Sequence, residues 1–149
     1  MKKWILYSVA LIVAAGTLAA VYAWFFVYNK AHKDIENTKP DFTVTAESLI
    51  QEFETNDTAN SKKYDEKVIQ FSGNFNKIES ADTTVSVVFD FGGNTIISAQ
   101  MLPKYKNEMQ ALTPGTPIAL KGLYNGYITG DPSFDLPGNI LLNKCSPVK

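Results

Sequence analysis

The sequence predicts a small, mainly β domain with short helices, carried behind an N-terminal membrane-spanning helix. Three observations predict it. An uncharged run extends from Trp4 to Val27 behind the basic start Met1-Lys2-Lys3. Ala46, Leu49, Ile50 and Phe53 fall at helical spacing on one face. Between Lys67 and Val148, five segments of largely alternating apolar and polar residues are divided by turns rich in Gly, Pro, Asp and Asn.

Residues 1–28 are expected to be a transmembrane signal anchor. A helix over the apolar run is about 36 Å long, enough to cross a hydrocarbon core of about 30 Å with some tilt. Val21-Tyr22-Ala23 is a passable cleavage triplet, so a form cut after Ala23 is the alternative. The run continues through Trp24-Phe25-Phe26-Val27, however, and cleavage would leave bulky aromatics at the new terminus, which favours a retained anchor. Trp4, Tyr7, Trp24 and Tyr28 lie near its ends, where interfacial aromatics are enriched. Gly16, among Ala14, Ala15, Ala19 and Ala20, offers a surface that a second helix can approach closely. Lysines flank both sides (Lys2 and Lys3; Lys30, Lys33 and Lys39), so counting them does not set the orientation. The short basic start resembles an export signal. It places the N-terminus in the cytoplasm and the domain on the periplasmic side of the inner membrane. Lipid attachment near the N-terminus is excluded, because the single cysteine is Cys145.

Residues 29–41 are polar, lack a hydrophobic period and read as a juxtamembrane stalk; residues 42–149 form the domain. Thr45 is the expected N-cap of a helix beginning at Ala46, with Glu47 in its first turn. The pattern fades at Thr55-Asn56-Asp57, and a second helical turn follows over Thr58 to Tyr64. Lys67 to Glu79 is a long first strand with Ile69, Phe71 and Phe75 inward and Gly73 as a bulge or bend. After the turn Ser80-Ala81-Asp82 comes a second strand, Thr84 to Phe91, with Val85, Val87, Phe89 and Phe91 inward. Gly92-Gly93-Asn94 is a hairpin turn into a third strand, Thr95 to Met101, with Ile97, Ala99 and Met101 inward. Pro103 to Leu112 is a short helix. Pro117 to Ile128 and Asn139 to Val148 are the fourth and fifth strands, joined by the Gly/Pro/Asp-rich loop Thr129 to Gly138.

This order matches the five-stranded Greek-key barrel called the OB-fold, with an amphipathic helix added in front. A bend in the first strand suits that barrel, since the strand must serve both sides of it. A small sandwich or another half-open barrel is the alternative.

All 14 basic residues are lysines; from Asp34 onward ten lysines face fifteen acids, a net charge of −5. Nucleic-acid binders commonly show a basic patch and use arginine for phosphates and bases, so this balance counts against a nucleic-acid partner. A lone cysteine excludes an intrachain disulfide and a multi-cysteine metal site, and Cys145 in a strand reads as an inert buried thiol.

Several stretches resemble a bacterial OB-fold family. They are Tyr28-Asn29-Lys30-Ala31-His32-Lys33-Asp34, Asp41-Phe42-Thr43-Val44-Thr45-Ala46-Glu47-Ser48-Leu49, Phe53-Glu54, Lys67-Val68-Ile69 with Ser72-Gly73, Lys121-Gly122, Gly126-Tyr127 and Leu142 to Cys145. The family is the tRNA_anti-like family of small membrane-anchored or exported proteins. The resemblance covers most of residues 28–148 and departs at Ala31 and in the Gly130 to Gly138 loop. It implies kinship with anticodon-binding OB-folds and brings no catalytic residue.

An OB-fold usually binds on its second and third strands, between the loop joining strands one and two and the loop joining four and five. Here that face comprises Ser80 to Thr83, Ser86, Asp90, Ser98, Gln100 and Thr129 to Gly138, with Tyr127, Asp131, Phe134 and Asp135 as the most informative side chains. Its small polar surface suits a protein or saccharide partner. Single-stranded nucleic acid is the alternative and would need exposed aromatic platforms in a positive groove. Catalysis, a cofactor and a bound metal are not expected. His32 is alone on the stalk, Glu47, Glu52 and Glu54 read as a solvated helix face, and Gly92-Gly93 lacks the lysine of a phosphate loop. Asp131 to Asp135 lacks the full calcium hand-loop pattern.

Overall fold

A computed structural model describes residues 2–24 and 34–148. The chain divides into two units, Met1–Lys33 and Asp34–Lys149. In the first, helix α1 covers Lys2–Ala23. Every described side chain of α1 is exposed, including Ile12, Val13, Leu18 and Val21, so the helix presents apolar groups on all sides. Its hydroxyl at Thr17 is satisfied inside the helix, donating to the carbonyls of Val13 and Ala14 at 3.0 and 2.9 Å. Among the described residues no helix is long and apolar enough to cross a membrane. The apolar run itself continues past Trp24, and Phe25 to Tyr28, Lys30, Ala31, His32 and Lys33 lie outside the described residues.

The second unit starts at Asp34, within the segment expected to be a stalk. Asp34 caps a turn, accepting from Asn37 Nδ2 and, through its carbonyl, from the Thr38 amide and hydroxyl. Ile35 is 2% exposed, so this segment contributes to the core from its second residue onward. Lys121 Nζ donates to the carbonyls of both Glu36 and Thr38 at 2.9 Å, and the Glu36 carboxylate takes hydrogen bonds from Lys104 and Tyr105. The absence of a hydrophobic period hid this docking, because a single buried isoleucine makes no period.

A strand not expected from the sequence follows: β1, Phe42–Thr45. Helix α2, Ala46–Tyr64, begins at Thr45, whose hydroxyl accepts from the Ser48 amide at 3.1 Å. Ala46, Leu49, Ile50 and Phe53 are buried, as their spacing requires. The helix kinks at Asn56, which leaves helical geometry and caps the second half by accepting from the Ala59 amide. The remaining elements are β2 (Val68–Asn74), β3 (Lys77–Ala81), β4 (Thr84–Phe89) and β5 (Thr95–Met101). A 3-10 turn at Pro103–Tyr105 leads into α3 (Lys106–Gln110), then β6 (Pro117–Ile128), a 3-10 turn at Pro132–Phe134 and β7 (Gly138–Pro147).

Seven strands replace the expected five, in the order β1-β2-β6-β7-β5-β4-β3. Two departures explain the count. The long first strand breaks at Phe75-Asn76, where the Phe75 carbonyl accepts from Gly115 and the Asn76 amide donates to Val88. In addition, β1 pairs in parallel with β2, from Phe42↔Ile69 to Thr45↔Ser72. When β2 and β3 are taken as halves of one strand, the order is first, fourth, fifth, third, second, first. The halves of the first strand thus flank the other four on both sides, with β1 added outside β2, and this is the strand order of the OB-fold's Greek key. The β5–β7 pairing is parallel and β6–β7 antiparallel, as that arrangement demands.

Two inner-face expectations are corrected. Gly73 is not the bend: it lies within β2, and a Cβ there would stand 2.9 Å from Ala46 Cβ, so its role is close packing against the start of α2. Phe91 does not face the core and is 42% exposed, because β4 ends at Phe89 and the Asp90 amide donates to Asn76 Oδ1. The other expected inner residues, Ile69, Phe71, Phe75, Val85, Val87, Phe89, Ile97, Ala99 and Met101, are buried.

Cys145 is fully buried, and desolvation pushes its thiol well above the usual range. Its Sγ would lie 2.4 Å from a Cβ at Gly122. Gly122→Ala is therefore expected to destabilise the domain by about 1–3 kcal/mol in urea unfolding, with Cys145→Ala in the same chain recovering part of that loss. Maleimide labelling should reach Cys145 only in denaturant; labelling of the native protein would contradict its burial.

Candidate ligand-binding cleft

A partly open cleft of about 800 Å³ lies where three chain segments meet. One wall is the kink of α2, with Phe53, Glu54, Thr55, Asn56 and Asp57. A second is the β4–β5 connection, with Asp90, Gly93, Asn94, Thr95 and Ile96. The third is the end of β6 and its loop to β7, with Tyr127, Thr129, Gly130, Pro132, Asp135, Leu136 and Pro137.

Each wall is fixed by local chemistry. The Phe53 and Tyr127 rings pack with centroids 5.2 Å apart, and the Tyr127 hydroxyl lies 3.3 Å from Thr95 Oγ1, tying the helix, β6 and β5 together. Glu54 Oε1 accepts from the Asn94 amide at 2.7 Å, which pins the hairpin to the helix. Asp90 Oδ1 accepts from the Gly92 amide at 2.8 Å. The Asn60 side chain bridges the kink by donating to the carbonyls of Glu52 and Asn56. Below the kink, Glu52 Oε2 accepts from Lys63 Nζ at 2.7 Å and from the Tyr64 hydroxyl at 2.8 Å. Burial opposes the charge on Glu52, but these two hydrogen bonds outweigh it and hold the carboxyl below its ordinary range. Burial likewise raises the hydroxyl pKa of Tyr124, which donates to Ser61 Oγ.

The structure divides the eight residues proposed from the sequence. Asp90, Tyr127 and Asp135 line the cleft. Ser86, Ser98 and Gln100 lie apart from it, on the outer face of β4 and β5, where Ser86 pairs with Gln100 and Ser98 with Val88. Asp131 caps the 3-10 turn by accepting from the Ser133 amide at 2.9 Å, and Phe134 stands 74% exposed on the same loop. The cleft residues that sequence reading missed are Glu54, Asn56 and Asp57 on the helix, Asn94 on the β4–β5 connection and Thr95 at the start of β5, whereas Thr129 belongs to the Thr129 to Gly138 loop it named. Their signal was the interruption of helical spacing at Thr55-Asn56-Asp57, directly after the buried Phe53. Of the helix acids read as a solvated face, Glu47 is exposed, whereas Glu52 and Glu54 have the specific roles given above. Among the described residues, no group of three or more His, Cys, Asp or Glu is placed to hold a metal ion.

Comparison with known proteins adds the following. A family model described as tRNA_anti-like matches residues 1–146. Among solved structures, a Klebsiella pneumoniae lipoprotein provisionally assigned to nucleic-acid binding aligns at 15% identity and a TM-score of 0.52, covering 72% of this chain and 91% of its own. An aspartyl tRNA synthetase from Entamoeba histolytica aligns at 9% identity and a TM-score of 0.44, covering 75% of this chain and 26% of its own. No curated protein matches. At such identities the first structural likeness carries the fold alone.

The pH dependence of the Glu52 cluster can be tested. A depressed folded-state pKa adds stability above the unfolded glutamate value, and that stability is lost as pH falls through the folded value. Glu52→Gln should flatten the acid limb of stability against pH by about 0.5 kcal/mol or less, the pair being partly solvated. Urea unfolding between pH 3 and 7 measures it (a range set by the ordinary carboxylate pKa of about 4).

Proposed function

The chain belongs to the tRNA_anti-like family, and on that premise we propose a membrane-tethered, extracytoplasmic binding module that acts without catalysis. The observation that carries the reading is the composition of the cleft. Its walls offer carboxylates, amides and hydroxyls beside Phe53 and Tyr127, and among the described residues no lysine lines it. Such a surface suits hydrogen-bonding and cationic groups of a protein or saccharide. It repels a phosphate backbone, whose binding draws on lysine and arginine.

The tether is the apolar run Trp4–Val27. Its support is that α1 presents apolar side chains on every side, the pattern of a helix solvated by lipid. In this reading the anchor is retained, the basic start stays in the cytoplasm, and the domain lies on the periplasmic side of the inner membrane. Single-stranded nucleic acid is the alternative ligand, taken from the assignment of the Klebsiella lipoprotein.

One experiment tests ligand site and location together. A photo-crosslinking amino acid replaces Thr129, on the cleft wall, in the full chain in intact cells; a second version replaces exposed Lys67, which does not line the cleft. The expected result is a discrete adduct from position 129 and none from position 67. Protease added to spheroplasts should digest the domain. Equal crosslinking from both positions would sink the cleft as the site, and a protected domain would overturn the extracytoplasmic placement. Low-salt retention of the full chain on an oligo-dT column would transfer the reading to nucleic acid.

A further inference from the structure

Strand β3 ends the sheet, and no strand lies beyond it among the described residues. On its inner side it pairs with β4, from Lys77↔Val88 to Ala81↔Thr84, across the two-residue turn Asp82-Thr83. Such a turn closes on a hydrogen-bonded pair, and hydrogen-bonded pairs then alternate along the ladder. Lys77, Glu79 and Ala81 therefore direct their peptide groups toward β4, and Ile78 and Ser80 direct theirs outward. Helix α3 reaches β3 at the turn end, where Gln110 Nε2 donates to Ser80 Oγ and Lys106 Nζ to the Asp82 carbonyl. The middle of the edge, at Ile78, is clear of both contacts.

The outer face of this edge carries a pattern of charge. Lys77 Nζ lies 2.7 Å from Glu79 Oε1, and the two side chains are 60% and 58% exposed. Neither meets a charge across the ladder: Lys77 stands opposite Val88 and Glu79 opposite Ser86. An open edge invites another strand, and many proteins prevent this with a lone lysine, which repels its own copy. A lysine followed two residues later by a glutamate does the reverse in one register. Antiparallel two-fold pairing through the outward groups can centre on Ile78, Glu79 or Ser80. Centred on Glu79, it sets the two glutamates against each other; centred on Ser80, it sets Glu79 opposite Ala81. Centred on Ile78, it sets Lys77 opposite Glu79 twice, at the closely spaced positions of the ladder, where opposite charges stabilise the pairing.

We infer that β3 is a self-association surface: two copies of this chain join edge to edge, antiparallel, about a two-fold axis at Ile78. The contact is isologous, the same patch serving on both copies. The two Ile78 residues exchange backbone hydrogen bonds, and each Lys77 faces the partner's Glu79. The Ile78 side chain packs against the core, so the fold itself holds the central residue of the contact in place. None of residues 77–81 lines the cleft. The paired form therefore carries two clefts, and the inference stands whether or not the cleft binds a ligand.

The test uses the full chain in zwitterionic detergent micelles, prepared with two distinguishable tags. Lys77→Glu makes the β3 edge of one chain wholly acidic, and Glu79→Lys makes that of another wholly basic. Each variant should recover its own differently tagged copy about fivefold less than the unsubstituted chain does, because like charges then meet at both positions. Mixed together, the two variants should regain the unsubstituted recovery, since opposite charges face each other again. Added salt should lower recovery of the unsubstituted chain. For the register, chains carrying Lys77→Cys and chains carrying Glu79→Cys should form a disulfide with each other faster than either forms one with itself; Cys145, common to all, is buried. Circular dichroism checks that each variant folds, since the charge of Asp90 also reaches Lys77. A chain that recovers none of its tagged copy would overturn the inference. So would recovery that neither charge reversal changes, which would assign the contact to α1, or recovery that the mixture of folded variants fails to restore.

Discussion

Phe53 joins the helix to the sheet, and the position of every residue in the cleft depends on it. Its ring is fully buried, with centroids 6.0 Å from Tyr64, 5.9 Å from Tyr124 and 5.2 Å from Tyr127. Tyr64 closes the cluster against Phe42, edge to face at 4.9 Å. Aromatic side chains bury large areas and prefer such offset and edge contacts, so α2 is fixed on β6 at Phe53, ahead of its kink, and at Tyr64, its last residue. Past this contact the helix kinks at Asn56, and Glu54 to Asp57 form the cleft wall beside the hairpin while Glu54, Thr55 and Asn56 stay exposed. Glu54 completes the arrangement by accepting from Asn94 across the gap.

Much of this was legible in the sequence, for definite reasons. The buried face of α2 follows from spacing, its start from Thr45, and its interruption from Thr55-Asn56-Asp57. The β5 and β6 limits follow from alternation bounded by prolines, glycines and a polar turn. The long first strand was not legible as two, because alternation continues across Phe75-Asn76 and only the tertiary hydrogen bonds to Gly115 and Val88 reveal the corner. The strand β1 is too short to show a period, and Phe91 continues an alternation that the backbone abandons at Asp90. For the site, the sequence supplied Asp90, Tyr127 and the loop after β6, but neither the helix nor the rest of the β4–β5 connection. Glu54 and Asp57 look like ordinary solvated acids until Phe53 is placed on Tyr127.

Some family-like motifs acquire physical roles. Lys121-Gly122 pairs a lysine that holds two carbonyls of the Asp34–Thr38 turn with a glycine that makes room for Cys145, itself in the Leu142–Cys145 stretch. Those residues support the sheet and the turn docked on it. Of the cleft acids, Glu54 belongs to the resembling Phe53-Glu54 stretch, whereas Asp57, Asp90 and Asp135 lie outside such stretches, Asp135 in the Gly130 to Gly138 loop where the chain departs from the family pattern. This is the usual division in a superfold: the strands make the frame and the connections carry what is particular to one protein.

The docking of the turn at Asp34 redraws where a self-sufficient fragment begins. A soluble version cut at Asp41, just ahead of the first strand, would take Ile35 out of the core, remove both acceptors from Lys121, and leave Lys104 and Tyr105 without the Glu36 carboxylate. An excision at Asp34 keeps all of these contacts and still discards α1. The border of the folded unit thus lies inside the polar segment, ahead of Ile35, and a composition profile of the chain shows no change there.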